Sequence, residues 1–189
     1  MIKKSLLLLI LLSGSVFATE KLTIIPELSS VSFATIKKQY VVEPAVVDNI
    51  QGEYSNNTFN LAINFKHIKT SIPIRNNRVN DIFLKTNLYP LVKIKGYFDI
   101  ESIVKPITKT SIKADVDFYG QIKTFEIPVI IHKSAGLLSV NSYKPIIVKA
   151  SDFGIPTENL ISLAATVGGI SISDTIPLNI NLTFSATAQ

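Results

Sequence analysis

The chain of 189 residues contains no cysteine. That excludes disulfide cross-links and a lipidated cysteine, so core packing and strand pairing alone hold the fold. Histidine is almost as scarce. His67 and His132 are the only two, they lie far apart in sequence, and His132 falls among the polar positions Thr124 and Glu126 of a strand face. Both read as solvated surface groups. The serines lie in no Gly-x-Ser-x-Gly elbow or other nucleophile signature. Asp115 and Asp117 share a face, but their alternation with Ala114, Val116 and Phe118 makes them the wet side of a strand. The reading therefore expects no enzyme, no catalytic residue, no metal site and no cofactor. No repeat, low-complexity tract or Gly/Ser linker divides the sequence, and its length suits one domain with a sizeable core.

Long apolar runs are confined to the start. Lys3 and Lys4 precede an unbroken apolar run over residues 6–12, and small residues follow up to Val16 and Ala18. This is the pattern of a secretory signal peptide over residues 1–18, cut after Ala18; the run is shorter than the roughly 20 residues that span a bilayer. The mature domain is then 19–189, located in the periplasm or secreted. The formal charge of +5 falls to +3 once Lys3 and Lys4 are removed, 17 basic residues against 14 acidic. A nucleic-acid partner loses its main support. Lysines 93, 95, 105, 109, 113 and 123 form a weakly basic surface, suited to solubility or to transient contact with an anionic membrane surface.

The mature sequence alternates. Over residues 173–186, Ile176, Leu178, Ile180, Leu182, Phe184 and Ala186 occupy every second position between Thr175, Pro177, Asn179, Asn181, Thr183 and Ser185. That is a strand with one dry and one wet face. The same period runs through Phe59, Leu61, Ile63 and Phe65 after an Asn56-Asn57 turn, and through Val92, Ile94, Phe98 and Ile100, with a bulge expected at Gly96. Ile112 to Phe118 and Phe125 to Ile131 form a hairpin about Gly120. Residues 21–34 read as two short strands around a bend, 37–52 as an irregular or edge strand broken by Pro44, and 138–149 as a strand interrupted by Pro145. Helical spacing occurs twice, over residues 73–90 and over residues 157–167, the latter capped by Thr157 and stopped by Gly168-Gly169. About eight strands with regular turns make an antiparallel barrel or sandwich.

Several segments, in order, resemble the YceI-like family across nearly all of the mature chain. Ile24-Ile25-Pro26-Glu27-Leu28-Ser29-Ser30-Val31-Ser32-Phe33 is similar to its opening pattern, and Asn80-Asp81-Ile82-Phe83-Leu84-Lys85-Thr86-Asn87-Leu88-Tyr89-Pro90 to its helix and following Tyr-Pro. Phe118-Tyr119-Gly120-Gln121-Ile122-Lys123 matches a turn leading into the next strand, and Ser151-Asp152-Phe153-Gly154 with Ser173-Asp174 matches the last two signatures. Leu28 and Asn80 stand where members usually carry histidine, and Ile25 where they carry aspartate. The resemblance implies an all-β fold, an antiparallel eight-stranded lipocalin-like barrel with one or two short helices. It also implies a non-catalytic secreted protein that holds a long-chain isoprenoid-type or fatty amphiphile for transport, storage or sequestration.

Its expected apolar lining is Phe33, Phe59, Leu61, Ile63, Phe65, Ile94, Phe98, Val116, Phe118, Phe125, Ile127, Ile180, Leu182 and Phe184. Ser151, Asp152, Phe153, Gly154 and Asp174 are expected to be structural, the two aspartates capping nearby backbone. With histidine missing at two positions, chain length rather than head group is expected to decide which amphiphile binds. The alternative is a barrel whose phenylalanines fill the interior and which acts through its surface on another envelope protein. A homodimer is left open.

Overall fold

In the computed structural model, residues 21–134 and 136–186 are described; the expected leader over residues 1–18 lies outside them. The strand segments are β1 (Leu22–Ile24), β2 (Ser30–Lys37), β3 (Val41–Val47), β4 (Gln51–Ser55), β5 (Thr58–Asn64), β6 (Ile68–Lys69), β7 (Leu91–Tyr97), β8 (Ile107–Phe118), β9 (Gln121–Ser134), β10 (Leu137–Ser142), β11 (Ile146–Lys149) and β12 (Thr175–Ala186). Two helices interrupt them, α1 (Pro73–Arg78), which runs on into a π-helical turn (Val79–Phe83), and α2 (Thr157–Ala165).

These segments act as eight strands, because four are bent in the middle. β1 and β2 form one, and β12 pairs along both: Ile24 faces Phe184, and Phe33 faces Leu178. β3 and β4 form the next, pairing β2 and β1 respectively, and β5 with β6 pairs β4 and β3. β7, β8 and β9 follow as a meander, and β10 with β11 returns to β12. Every neighbour is antiparallel, and β12 meeting β1 closes the ring. Closure removes free edges along that ring; at the other end β11 pairs β12 alone, and β3 pairs β2 alone before Val46.

The bends have local causes. Pro26 opens a 3-10 turn between β1 and β2, and the buried Ser29 bolts that corner to β12: its Oγ accepts the Thr183 N–H at 3.0 Å. Asn49 adopts φ 57° between β3 and β4, where asparagine tolerates the left-handed region better than most residues. A second 3-10 turn, Phe65–His67, separates β5 from β6, with the Asn64 side chain accepting the Lys66 N–H. Tyr119 and Gly120 both take positive φ at the β8–β9 turn, the geometry that suits a two-residue hairpin.

Three expectations for the strands and helices differ from the structure. Pro44 does not break its strand: β3 runs through it, with Pro44 opposite Ala34 of β2. Gly96 marks no bulge: the β5–β7 register runs through it without a slip, and the β7–β8 register reaches it in phase. It is glycine because a Cβ there would lie 2.2 Å from Phe59 Cζ and 2.5 Å from the Lys113 carbonyl. Thr157 does not cap α2; Pro156, at φ −61° and ψ 139°, takes the N-cap position with no side-chain bond. Gly169 does end that helix, at φ 73° and with its N–H on the Ala164 carbonyl at 2.9 Å. Among the described residues no helix is long and apolar enough to cross a membrane.

Candidate functional site

The alternating inward residues fill the two ends of the barrel differently. At the narrow end Tyr54, Ile112, Val129, Ile131, Leu138, Val140, Leu182 and Phe184 are buried and leave a void of only about 60 Å³. The Tyr54 hydroxyl lies 3.0 Å from the Phe98 carbonyl and 2.9 Å from Asn57 Oδ1, and accepts the Ile100 N–H at 3.3 Å. Its pKa is raised, first by burial, which disfavours the phenolate.

At the wide end a cavity of about 400 Å³ remains. Val31, Phe33 and Thr35 of β2, Ala45 and Val47 of β3, and Ile176, Leu178 and Ile180 of β12 supply one wall. Ile94, Val116, Phe118 and Phe125 supply the other. The helices flank the opening: α1 and its π turn bring Arg75, Arg78, Val79 and Phe83, and α2 brings Leu160 and Leu163. Asn159 of α2 ties them together by donating to the Phe83 carbonyl at 2.9 Å. Ile127 and Ile180 border both cavities and form the floor between them.

Phe118 centres an aromatic cluster, 5.1 Å from Phe65 and 5.7 Å from Phe153 between ring centroids, both edge-on. Phe153 is held there by its turn. Asp152 accepts the Lys149 N–H at 3.2 Å, Gly154 takes φ 66°, and Ala150 donates to the Asp174 carbonyl at 2.9 Å. Contrary to expectation, the Asp174 carboxylate caps no backbone N–H among the described residues: it takes the Ser151 and Thr175 hydroxyls, each at 3.0 Å, and the Thr175 N–H goes to Ser173 Oγ.

A family model described as the YceI-like domain matches residues 22–184. This chain belongs to the YceI-like domain family. The YceI-like barrel seen here is similar to a solved polyisoprenoid binding domain from Saccharophagus degradans implicated in plant cell wall breakdown. The two share 22% identity at a TM-score of 0.82, over 88% of this chain and 98% of that one. It is also similar to Burkholderia cenocepacia BcnA, at 12% identity and a TM-score of 0.64 over 85% and 98% of the two chains. At these identities the likeness speaks to the fold. No curated protein matches the chain.

Within the YceI-like barrel the fourteen residues of the expected lining divide by end. Phe33, Ile63, Phe65, Ile94, Val116, Phe118 and Phe125 border the wide cavity alone; Phe59, Leu61, Phe98, Leu182 and Phe184 border the narrow void alone; Ile127 and Ile180 border both. Leu28 is 54% exposed, and neither it nor Asn80 borders either space. His67 meets Asn49 Nδ2 at 3.1 Å, and Asp115 accepts the Thr124 hydroxyl at 2.6 Å. Asp115 and Asp117 stand opposite Lys95 and Lys93 in register. Among the described residues no group of three or more metal-ligating side chains gathers.

The sequence reading missed charge at the opening. Lys37 and Glu43 lie in phase with the dry faces of β2 and β3, and Arg75 crosses from α1 to join them. Glu43 Oε2 is 2.7 Å from Lys37 Nζ and its Oε1 is 2.7 Å from Arg75 Nη2, with all three side chains less than a quarter exposed. The signal was available: a charged residue at the end of an apolar period-two row.

Proposed function

We propose that this protein is a non-catalytic carrier that holds the tail of a long-chain amphiphile, of isoprenoid or fatty type, in the wide cavity. The observation that carries the reading is that space, of about 400 Å³ and walled by aliphatic and aromatic side chains, within the roughly 300–1,000 Å³ usual for ligand sites. The polyisoprenoid binding domain from Saccharophagus degradans, with the same fold, supports the choice of ligand class. Energetics favour a long tail. A dozen methylenes at about 0.8 kcal/mol each contribute roughly 10 kcal/mol gross, enough to offset much of the about 4–15 kcal/mol cost of association, which a short chain cannot do. A wholly filled interior, the basis of a surface-acting module, does not suit a barrel with this void.

The carrier works after cleavage at Ala18, as residues 19–189 outside the cytoplasm, and needs no cofactor. Organic extraction of protein purified from its native source, followed by mass spectrometry, tests this. A long-chain compound near one equivalent is expected, on a chain that begins at Thr19; repeated preparations without such a compound would overturn the carrier, and one that began at Met1 would overturn the secretion.

A further inference from the structure

The wide cavity grades from apolar to basic. Along β2 the inward row runs Val31, Phe33, Thr35, Lys37, so it turns from apolar to polar and then charged over its last two residues. The charged side chains bordering the cavity are Lys37, Arg75, Arg78 and Lys149 against one carboxylate, Glu43. That carboxylate is already divided between Lys37 and Arg75. Arg78, half-buried and one turn along the same helix face from Arg75, makes no ion pair among the described residues. A guanidinium partly withdrawn from water and left without a counter-charge is stabilised by an anion brought to it, and its planar fork matches a carboxylate or phosphate with two hydrogen bonds.

We propose that the cavity selects an amphiphile with an anionic head, a carboxylate or a phosphate, which Arg78 receives at the opening beside Arg75 while the tail lies along the apolar row. This rests on the carrier reading, and it reverses the expectation that head groups matter little. Displacement of a fluorescent fatty probe from the delipidated mature chain tests it, with tetradecanoate, tetradecyl phosphate, tetradecan-1-ol and tetradecylamine as competitors.

The two anions are expected to bind about tenfold or more tighter than the alcohol, as hydrogen bonds to charged groups exceed neutral ones, with the amine weakest. Arg78→Gln should narrow the ratio of anion to alcohol affinity roughly tenfold, Arg78→Lys should restore part of it, and added salt should weaken the anions alone. Equal binding of alcohol and anions, or an Arg78→Gln variant that weakens all competitors alike, would overturn the inference and leave the carrier standing. Failure of every competitor to bind would sink both. Inorganic phosphate displacing the probe as well as tetradecyl phosphate would assign the arginines to a free anion, against the proposal.

Discussion

Replacing Phe118 with alanine removes a ring that is 6% exposed and packs edge-on against Phe65, Phe153 and Tyr119. A buried Phe→Ala change costs about 3–5 kcal/mol, the spread reflecting how large a void is left. Here the lower end applies, because Phe118 already borders open space on one side and its loss extends an existing cavity. A loss of about 3 kcal/mol corresponds to a fall in Tm of roughly 6–12 °C for a domain of this size. A bound tail would also lose about 50 Å² of wall, roughly 1.3 kcal/mol at about 25 cal/mol per Å², or near tenfold in Kd. Urea denaturation of the delipidated variant gives the first quantity and tail displacement the second. A folded Phe118→Ala variant that loses under about 1 kcal/mol and binds the same tail equally well would refute the assignment of Phe118 to the cavity wall.

Gly96→Ala places a Cβ against the Phe59 ring and the Lys113 carbonyl, and overpacking of this kind costs about 1–3 kcal/mol; adding Phe59→Leu should recover only part in a urea titration, since the carbonyl contact persists, and no loss at all would contradict the packing. Tyr54 has a pKa above its ordinary 10.0, chiefly through burial, so the folded state favours the neutral phenol. Its contribution is complete below pH 10 and is lost as pH rises through the folded value, because the unfolded chain ionises first. Tyr54→Phe should therefore flatten the alkaline fall in stability while costing about 1 kcal/mol at neutral pH; an unchanged alkaline slope would show that this phenol is not what titrates. Asp174→Ala frees the Ser151 and Thr175 hydroxyls and should cost about 1–2 kcal/mol, read as a lower urea midpoint with tail affinity unchanged.

Most of the barrel could be read from the sequence because its strands alternate. β12 and the β8–β9 hairpin carry unbroken inward rows whose period fits nothing but a half-buried strand. β4 escaped because Gln51-Gly52-Glu53-Tyr54-Ser55 offers a single buried apolar residue, Tyr54, and β6 is two residues long. Both exist through their partners, which no local pattern reveals. The charged opening escaped for a related reason. Glu43 pairs with Thr35 in register, so it reaches Lys37 only diagonally across two strands, and Arg75 only after α1 folds over β3.

The floor shared by Ile127 and Ile180 gives the barrel a ruler. Below those two side chains lies the narrow void of about 60 Å³, so the usable depth is set by two β-branched residues that turn stiffly at χ1 and not by the length of the strands. Deepening the barrel needs no change of topology or of strand number. Trimming the two isoleucines to alanine joins the spaces and moves the stop toward Leu182 and Phe184, while a bulkier pair raises it. On the carrier proposal, tail length in such a fold can thus drift by single substitutions in the middle of a strand, independently of the charged opening.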